Sequence, residues 1–317
     1  MKSIFRKKGV VENEFQFPPQ PSKYGRRERI KDFLFVLPAL IFFGIFVYYP
    51  VAELFRISFT NWNLIKPNYD YVGLKNYIWL FEGSGFDTWI HSLGVTFIYT
   101  MCEVAITIIG GLFLACLFNR MTKSFAFMRS ILFMPKYIAL STSGIVFMWI
   151  LNEDYGILNY LLQSIGLSPQ PWLNSEKTAL YSILILTCWR VVGYSMMIYL
   201  SAIKGIPSDY YEAASIDGAG PLQRFRCITL PLLSPTTLFL FVTTFISSMK
   251  IFQSVDVMTG GGPYNATNVM VYWIYDLAFV QFRVDRAAVV SCVFFIILLV
   301  CTALTMKISN KSVHYDA

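Results

Sequence analysis

Side chains able to do acid–base, metal or nucleophilic chemistry are few in this sequence, and they are scattered. His91 and His314, the 2 histidines, stand too far apart in the chain to ligate a metal together. The 6 cysteines (Cys102, Cys116, Cys188, Cys227, Cys292 and Cys301) include no CxxC pair, and all but one lie inside apolar stretches, as buried reduced thiols do. Carboxylates are isolated, and no Gly-x-x-x-x-Gly-Lys-Ser/Thr phosphate loop occurs. No catalytic residue, metal site or bound cofactor is expected. What remains is an unusual polar loop and a set of polar residues inside apolar runs.

The loop runs from Gly205 to Pro231. Asp209 followed by Glu212 has the form of a capping box just after Pro207, so a short helix is expected from about Tyr210. Gly218 tolerates the left-handed conformation that ends a helix, and Pro221 suits the first turn of a second one. Leu230-Pro231 should terminate it. The product is a helical elbow whose small residues, Ala213 and Ala214, let another protein approach its backbone closely; a re-packed loop with no partner fits these residues equally well.

Polar residues inside apolar runs each need a reason, because an ionisable group at membrane depth costs several kcal/mol. Glu103 and Arg190 fall near the middle of their runs, where they pair with each other or with a partner chain, contact a substrate, or snorkel. Lys250 and Asp256 lie near the end of theirs, where snorkelling or loop pairing is expected. Thr244, Ser247, Ser248 and Ile251 recur at helical spacing, so they share one face, either as interhelical hydrogen-bonding groups or as the wall of a polar path. Tyr194, one turn beyond Arg190, can stack on a sugar ring.

The elements that carry these residues follow from composition. The chain is 56% hydrophobic and 14% charged, against about 25% charged in soluble domains, so lipid must solvate much of it. The net charge of +7 does not point to nucleic acid, because its basic residues cluster between apolar runs. Six runs reach the ~20 residues a bilayer requires: 33–52, 92–118, 130–151, 178–203, 235–258 and 284–306. Pro135 and Lys136 stand near the start of the third. Helices are expected, since lipid satisfies no backbone polar group. Lys and Arg crowd the N-terminal segment, the 119–129 and 204–226 loops and the C-terminal tail, so both termini are expected in the cytoplasm.

Residues 1–32 read as a flexible basic tail, 33–306 as the membrane domain with its loop at 204–234, and 307–317 as a second tail. The first run is too long for a cleaved signal peptide. Trp79, Leu80 and Phe81 suit an interfacial helix, and Trp149, Trp172 and Trp189 suit interfacial belts.

Glu212-Ala213-Ala214, Gly218 four residues on, then Ile228, Leu230 and Pro231 resemble the EAA loop of bacterial ABC importer permeases. Val72 to Tyr77, and Thr259 followed by Gly260, Gly261, Gly262 and Pro263, resemble the carbohydrate-uptake branch, over roughly residues 30 to 306. The resemblance implies an all-α, polytopic type I permease fold with six transmembrane helices in the inner membrane. It implies that Glu212, Ala213, Ala214, Asp217, Gly218, Ile228, Leu230 and Pro231 couple to a cytoplasmic ATPase dimer, which uses the ATP.

A second permease, as a heterodimer, and an extracytoplasmic solute-binding protein touching Gly260, Gly261, Gly262 and Pro263 are implied as well. Arg190, Tyr194, Thr244, Ser247, Ser248 and Ile251 would line the substrate path. The solute implied is a sugar or oligosaccharide; glycerol phosphate or another small polar solute is the alternative, under which Arg190 would hold the anion. A membrane enzyme and an ion-driven secondary transporter are the competing classes, and no internal repeat favours the latter.

Overall fold

The computed structural model describes residues 26–312 apart from 64, 67 and 121. The proline-bearing leader before residue 26 and the last five residues lie outside them; of the two expected tails, 26–32 and 307–312 are described and are helical, because each continues an apolar helix beyond the run that hydropathy marks. The described residues are helical, with one isolated bridge between Thr60 and Tyr71 and no strand.

Two compact units divide at Glu53. The first contains α1 (Arg26–Phe43), a π-helical turn (Gly44–Tyr48) and the start of α2 (Tyr49–Ser58). Its apolar side chains, Phe35 and Phe46 among them, are exposed, which suits a helix solvated by lipid or covered by a partner. The π turn sits directly before Tyr49-Pro50, with the Tyr49 amide donating to the Gly44 carbonyl. In a straight α-helix the proline ring collides with the carbonyl four residues back, and a wider turn moves that carbonyl aside.

The second unit is built on α4 (Phe86–Leu117) and α8 (Ala179–Gly205), each long and apolar enough to cross a bilayer. The Tyr99 hydroxyl donates to Thr187 Oγ1 at 2.8 Å, and Ser195 Oγ donates to the Thr107 carbonyl at 2.8 Å, both at a sequence offset of 88. A constant offset means that α4 and α8 run in the same direction. Small residues let them meet: a Cβ on Gly111 would stand 2.2 Å from Ser195 Oγ.

Because α4 and α8 are parallel, the chain between them must return across the bilayer. That return is α5 (Lys123–Phe133), a 3-10 turn (Met134–Tyr137) and α6 (Leu140–Ile150), two rods bent by 105°. The third expected run, 130–151, is therefore not one straight helix. The buried Pro135 lies in the break, and freed carbonyls there are met from α8: Arg190 Nη2 donates to Ile138 O at 3.0 Å and to Lys136 O at 3.4 Å. Gly193, one turn on, abuts the Leu132 carbonyl, which a Cβ would approach to 1.7 Å.

α7 (Ile157–Ser164) precedes α8, and α9 to α11 follow it. α12 (Ser234–Met249) then runs antiparallel to both long helices: Leu233 and Leu240 pack near Ala115 and Tyr199, while Phe245 and Met249 pack near Val104. α12 stops at Met249, and α13 (Gln253–Met258) is a separate short helix, so the fifth expected run is also two pieces. The chain continues through α14 (Met270–Tyr275) and a π turn (Asp276–Val280) to α15 (Val284–Ser312). Four helices are spans by length and composition, and the bent pairs raise the total to as many as six.

At the end of the unit where α15 begins, α3 (Lys75–Phe81) forms the helix expected around Trp79. Asn76 is buried and donates to the carbonyls of Ser58 (3.0 Å) and Thr60 (2.8 Å), while Ser58 Oγ and the Tyr77 hydroxyl lie 2.9 Å apart. Arg286 places its guanidinium 4.4 Å from the Trp79 ring. Leu80 is in the core, so this helix is anchored and does not merely lie on an interface. Trp172 is also packed rather than belted, its indole donating to Asn159 Oδ1 at 2.8 Å; Trp149 and Trp189 are exposed.

Candidate coupling elbow and translocation path

The elbow begins two residues beyond α8. α9 (Ser208–Ile216) starts with Pro207 at its N-cap and no side-chain cap, so the Asp209–Glu212 capping box does not form: Asp209 already lies inside the first turn. Pro207 sets the extended entry itself. At the far end Gly218 has φ +78, the Ala219 amide donates to Ala214 O at 2.8 Å, and the Gly218 amide donates to Ser215 O at 3.1 Å. This is the glycine-closed helix end expected from the sequence. No atom lies within 4 Å of a Cβ placed on Gly218, so the requirement for glycine there is one of backbone conformation alone.

α10 (Pro221–Arg224) opens on Pro221 as expected. Leu230-Pro231 does not end the helix, however. A π turn (Phe225–Thr229) precedes it, and the chain continues through α11 (Leu230–Leu232) before bending by 59° into α12. The π turn, in which the Leu230 amide donates to Phe225 O, moves aside the carbonyl that the Pro231 ring would otherwise meet, and the helix ends one residue later at Leu232. The elbow is braced within itself: Arg224 Nε donates to Ala219 O at 2.8 Å, and the Tyr211 hydroxyl lies 2.9 Å from Thr229 Oγ1.

The outer surface of the elbow is apolar and open. Ile216 is 88% exposed and Leu222 is 71% exposed. Glu212, Ala213, Asp217, Gly218, Leu230 and Pro231 are exposed too, with Ala214 and Ile228 half-buried. A shallow groove of ≈ 520 Å³ beside it is lined by Gly220, Pro221, Leu222, Gln223, Arg226 and Cys227.

The polar residues at membrane depth sort differently from their spacing. Thr244, Ser248 and Glu103 are buried; Ser248 Oγ donates to the Thr244 carbonyl at 2.7 Å, and Glu103, on α4, is 5% exposed. Ser247 is exposed instead, in line with Thr243 and Lys250 on the open face of α12. Ile251 lies beyond the helix end, so it does not continue the stripe. Glu103 and Arg190 do not pair: the guanidinium is taken by the carbonyls of the broken span.

Lys136 is the residue that the sequence left unassigned. It is exposed at the break, its Nζ sits 5.0 Å from the Tyr194 ring centroid, and it lies within electrostatic range of both Arg190 and Glu103. A cation embedded in an apolar run beside a proline was the available signal.

The glycine run is pinned rather than free. Gly260 and Gly261 have φ of +57 and +79, and a Cβ on Gly261 would stand 2.6 Å from Tyr272. Thr267 Oγ1 donates to Gly262 O at 2.7 Å. The projecting tip is Tyr264, two residues past Gly262 and 87% exposed. Gly262 and Pro263 border a cavity of ≈ 380 Å³ that also touches Trp149, Asn152, Glu153 and Asn174.

Comparison with known proteins fits this architecture. The chain is 33% identical over 285 residues to the probable ABC transporter permease protein YurN of Bacillus subtilis (strain 168), covering 89% of this chain and 96% of that protein. It is 31% identical over 292 residues to the trehalose/maltose transport system permease protein MalF of Thermococcus litoralis, covering 91% and 97%. Its fold matches, at a TM-score of 0.78 and 22% identity over 90% of this chain and 96% of the other, a chain from the crystal structure of a bacterial ABC transporter that imports the acidic polysaccharide alginate. Residues 107–314 match the family described as the inner membrane component of binding-protein-dependent transport systems, so this chain is a multi-pass membrane protein of that ABC permease family.

Proposed function

We propose that the chain forms half of the pore of an ATP-driven, binding-protein-dependent importer for a sugar or oligosaccharide, and that α9 to α11 are the handle through which a separate ATPase moves it. The observation that carries this reading is the elbow: stiff inside, apolar and open outside, and joined to the central helix α8 by only Ile206 and Pro207. Such a surface is suited to seat in the cleft of another protein, with Ile216 and Leu222 as the apolar contacts.

A cytoplasmic side for the elbow and both termini is supported by the clustering of Lys and Arg in those segments. The Gly260–Pro263 turn and Tyr264 then face outward, where a solute-binding protein would dock. A second permease completes the pore, as a heterodimer, and covers exposed apolar faces such as Ile145 and Val146 on α6. Energy enters through the ATPase dimer, so this subunit needs no cofactor and performs no catalysis. Sugar as the solute class is supported by the maltose-system and alginate-system relatives.

Purification of the tagged chain from its native membrane, with identification of what accompanies it, tests the proposal. An ATPase and a second permease should co-purify, and solute uptake into proteoliposomes should need ATP on the elbow side. Uptake that runs on an ion gradient without ATP would refute it.

A further inference from the structure

A cation pair stands on the path beside an aromatic face. Lys136 projects from the break in the α5–α6 span, and Arg190 and Tyr194 face it from α8. Glu103, on α4, is buried and forms no ion pair with either cation. Neither cation touches a carboxylate: Arg190 donates to the carbonyls of the break and Lys136 lies over the Tyr194 ring, so no ion pair neutralises them. An uncompensated charge at membrane depth is expensive unless something negative joins it.

Arg190 already spends one nitrogen on the Lys136 and Ile138 carbonyls, so it holds the broken span in place. Lys136 is different. Its ammonium is exposed, has three donors, and lies over a ring rather than against a carboxylate. The Tyr194 ring offers a flat face to the C–H side of a sugar ring, and Lys136 stands where a charged substituent on that ring would lie.

We infer that Lys136 and Arg190, with the Tyr194 ring, form an anion-recognition site on the translocation path, so that the solute is a polyhydroxylated molecule carrying a carboxylate or phosphate group. This rests on the importer reading above and narrows its solute class.

The test uses the purified importer complex in nanodiscs, with Tyr137→Cys, at the exposed neighbour of Lys136, as a reporter thiol. Its rates of reaction with an anionic thiosulfonate (ethylsulfonate) and a cationic one (ethyltrimethylammonium) are compared, over the rates of the parent complex. The anionic reagent should react faster, and Lys136→Gln should lower the anionic-to-cationic ratio about tenfold. Lys136→Arg, which keeps the charge, should restore it, separating charge from any defect in folding.

Trigalacturonate, glycerol 3-phosphate and maltotriose are then offered as protecting solutes. Protection by trigalacturonate identifies a carboxylate solute, and protection by glycerol 3-phosphate a phosphate one. A ratio indifferent to Lys136→Gln, protection by maltotriose alone, or protection by neither charged solute would overturn the inference. The importer reading fails separately, by the absence of an ATPase from the same complex.

Discussion

Gly193→Ala probes the contact on which the geometry of the path depends. The added Cβ would stand 1.7 Å from the Leu132 carbonyl oxygen, 2.5 Å from its carbon and 3.1 Å from the Phe133 nitrogen. Ordinary contact begins at 3.4 Å, and every opposing atom is backbone, so no side chain can swing away. α8 and the α5 end must part by well over an ångström. Overpacking of a close helix contact costs about 1–3 kcal/mol. The same displacement pulls Arg190 from the Ile138 carbonyl, now 3.0 Å away, and a hydrogen bond to a charged group contributes about 1.5 kcal/mol or more.

The expected loss is about 3 kcal/mol, read as a fall on the order of 5 °C in the apparent melting temperature of the detergent-solubilised complex. Gly94→Ala is the control. Gly94 lies in α4 with no atom within 4 Å of its Cβ, so alanine there should stabilise by about 0.4–1 kcal/mol through the unfolded chain. Equal melting temperatures for the two variants would refute the reasoning, since one glycine-to-alanine change would then serve for both environments.

Further outcomes follow from other parts of the structure. Gly218→Val should cut transport-coupled ATPase activity and ATPase co-purification while leaving the membrane helices intact, and Gly218→Asn should do so less, because asparagine tolerates the left-handed backbone better; co-purification measured for both checks the order. Asn76→Ala should destabilise by about 1–3 kcal/mol, because the Ser58 and Thr60 carbonyls lose their amide partner, and a melting curve against Asn76→Asp shows whether the donor is what counts.

Hydropathy located the helical spans well because it depends on what every residue of a span must be. It carries no information on direction, and that is where expectation and structure part. An apolar run from 130 to 151 reads as one rod although its middle is turned through 105°, because Pro135 and Lys136 alone report the break. Ser247 and Ser248 are neighbours in sequence, yet one residue turns the helix by about 100°, so one faces out and the other is buried. Proline was a partial guide: Pro221 opened a helix as expected, whereas Pro231 follows a π turn that keeps the chain helical past it.

Of the alternatives open to Glu103 and Arg190, pairing with each other is the one the structure excludes, for a related reason. Charge complementarity names candidates, but the freed carbonyls of a broken helix are equally good acceptors for a guanidinium, and they are invisible in the sequence. The elbow was the most legible part, since a left-handed glycine and a first-turn proline are local requirements that no tertiary contact needs to supply.

The glycine and hydroxyl seam between α4 and α8 fixes how force can travel. With the Gly111 backbone against Ser195, and with the hydrogen bonds Tyr99 to Thr187 and Ser195 to Thr107, the two rods have no room to slide past one another. A twist applied below Gly205 therefore turns both as one shaft, carrying Glu103 along with Arg190 and Tyr194, while the chain yields at its joints near Leu233 and residues 138–139.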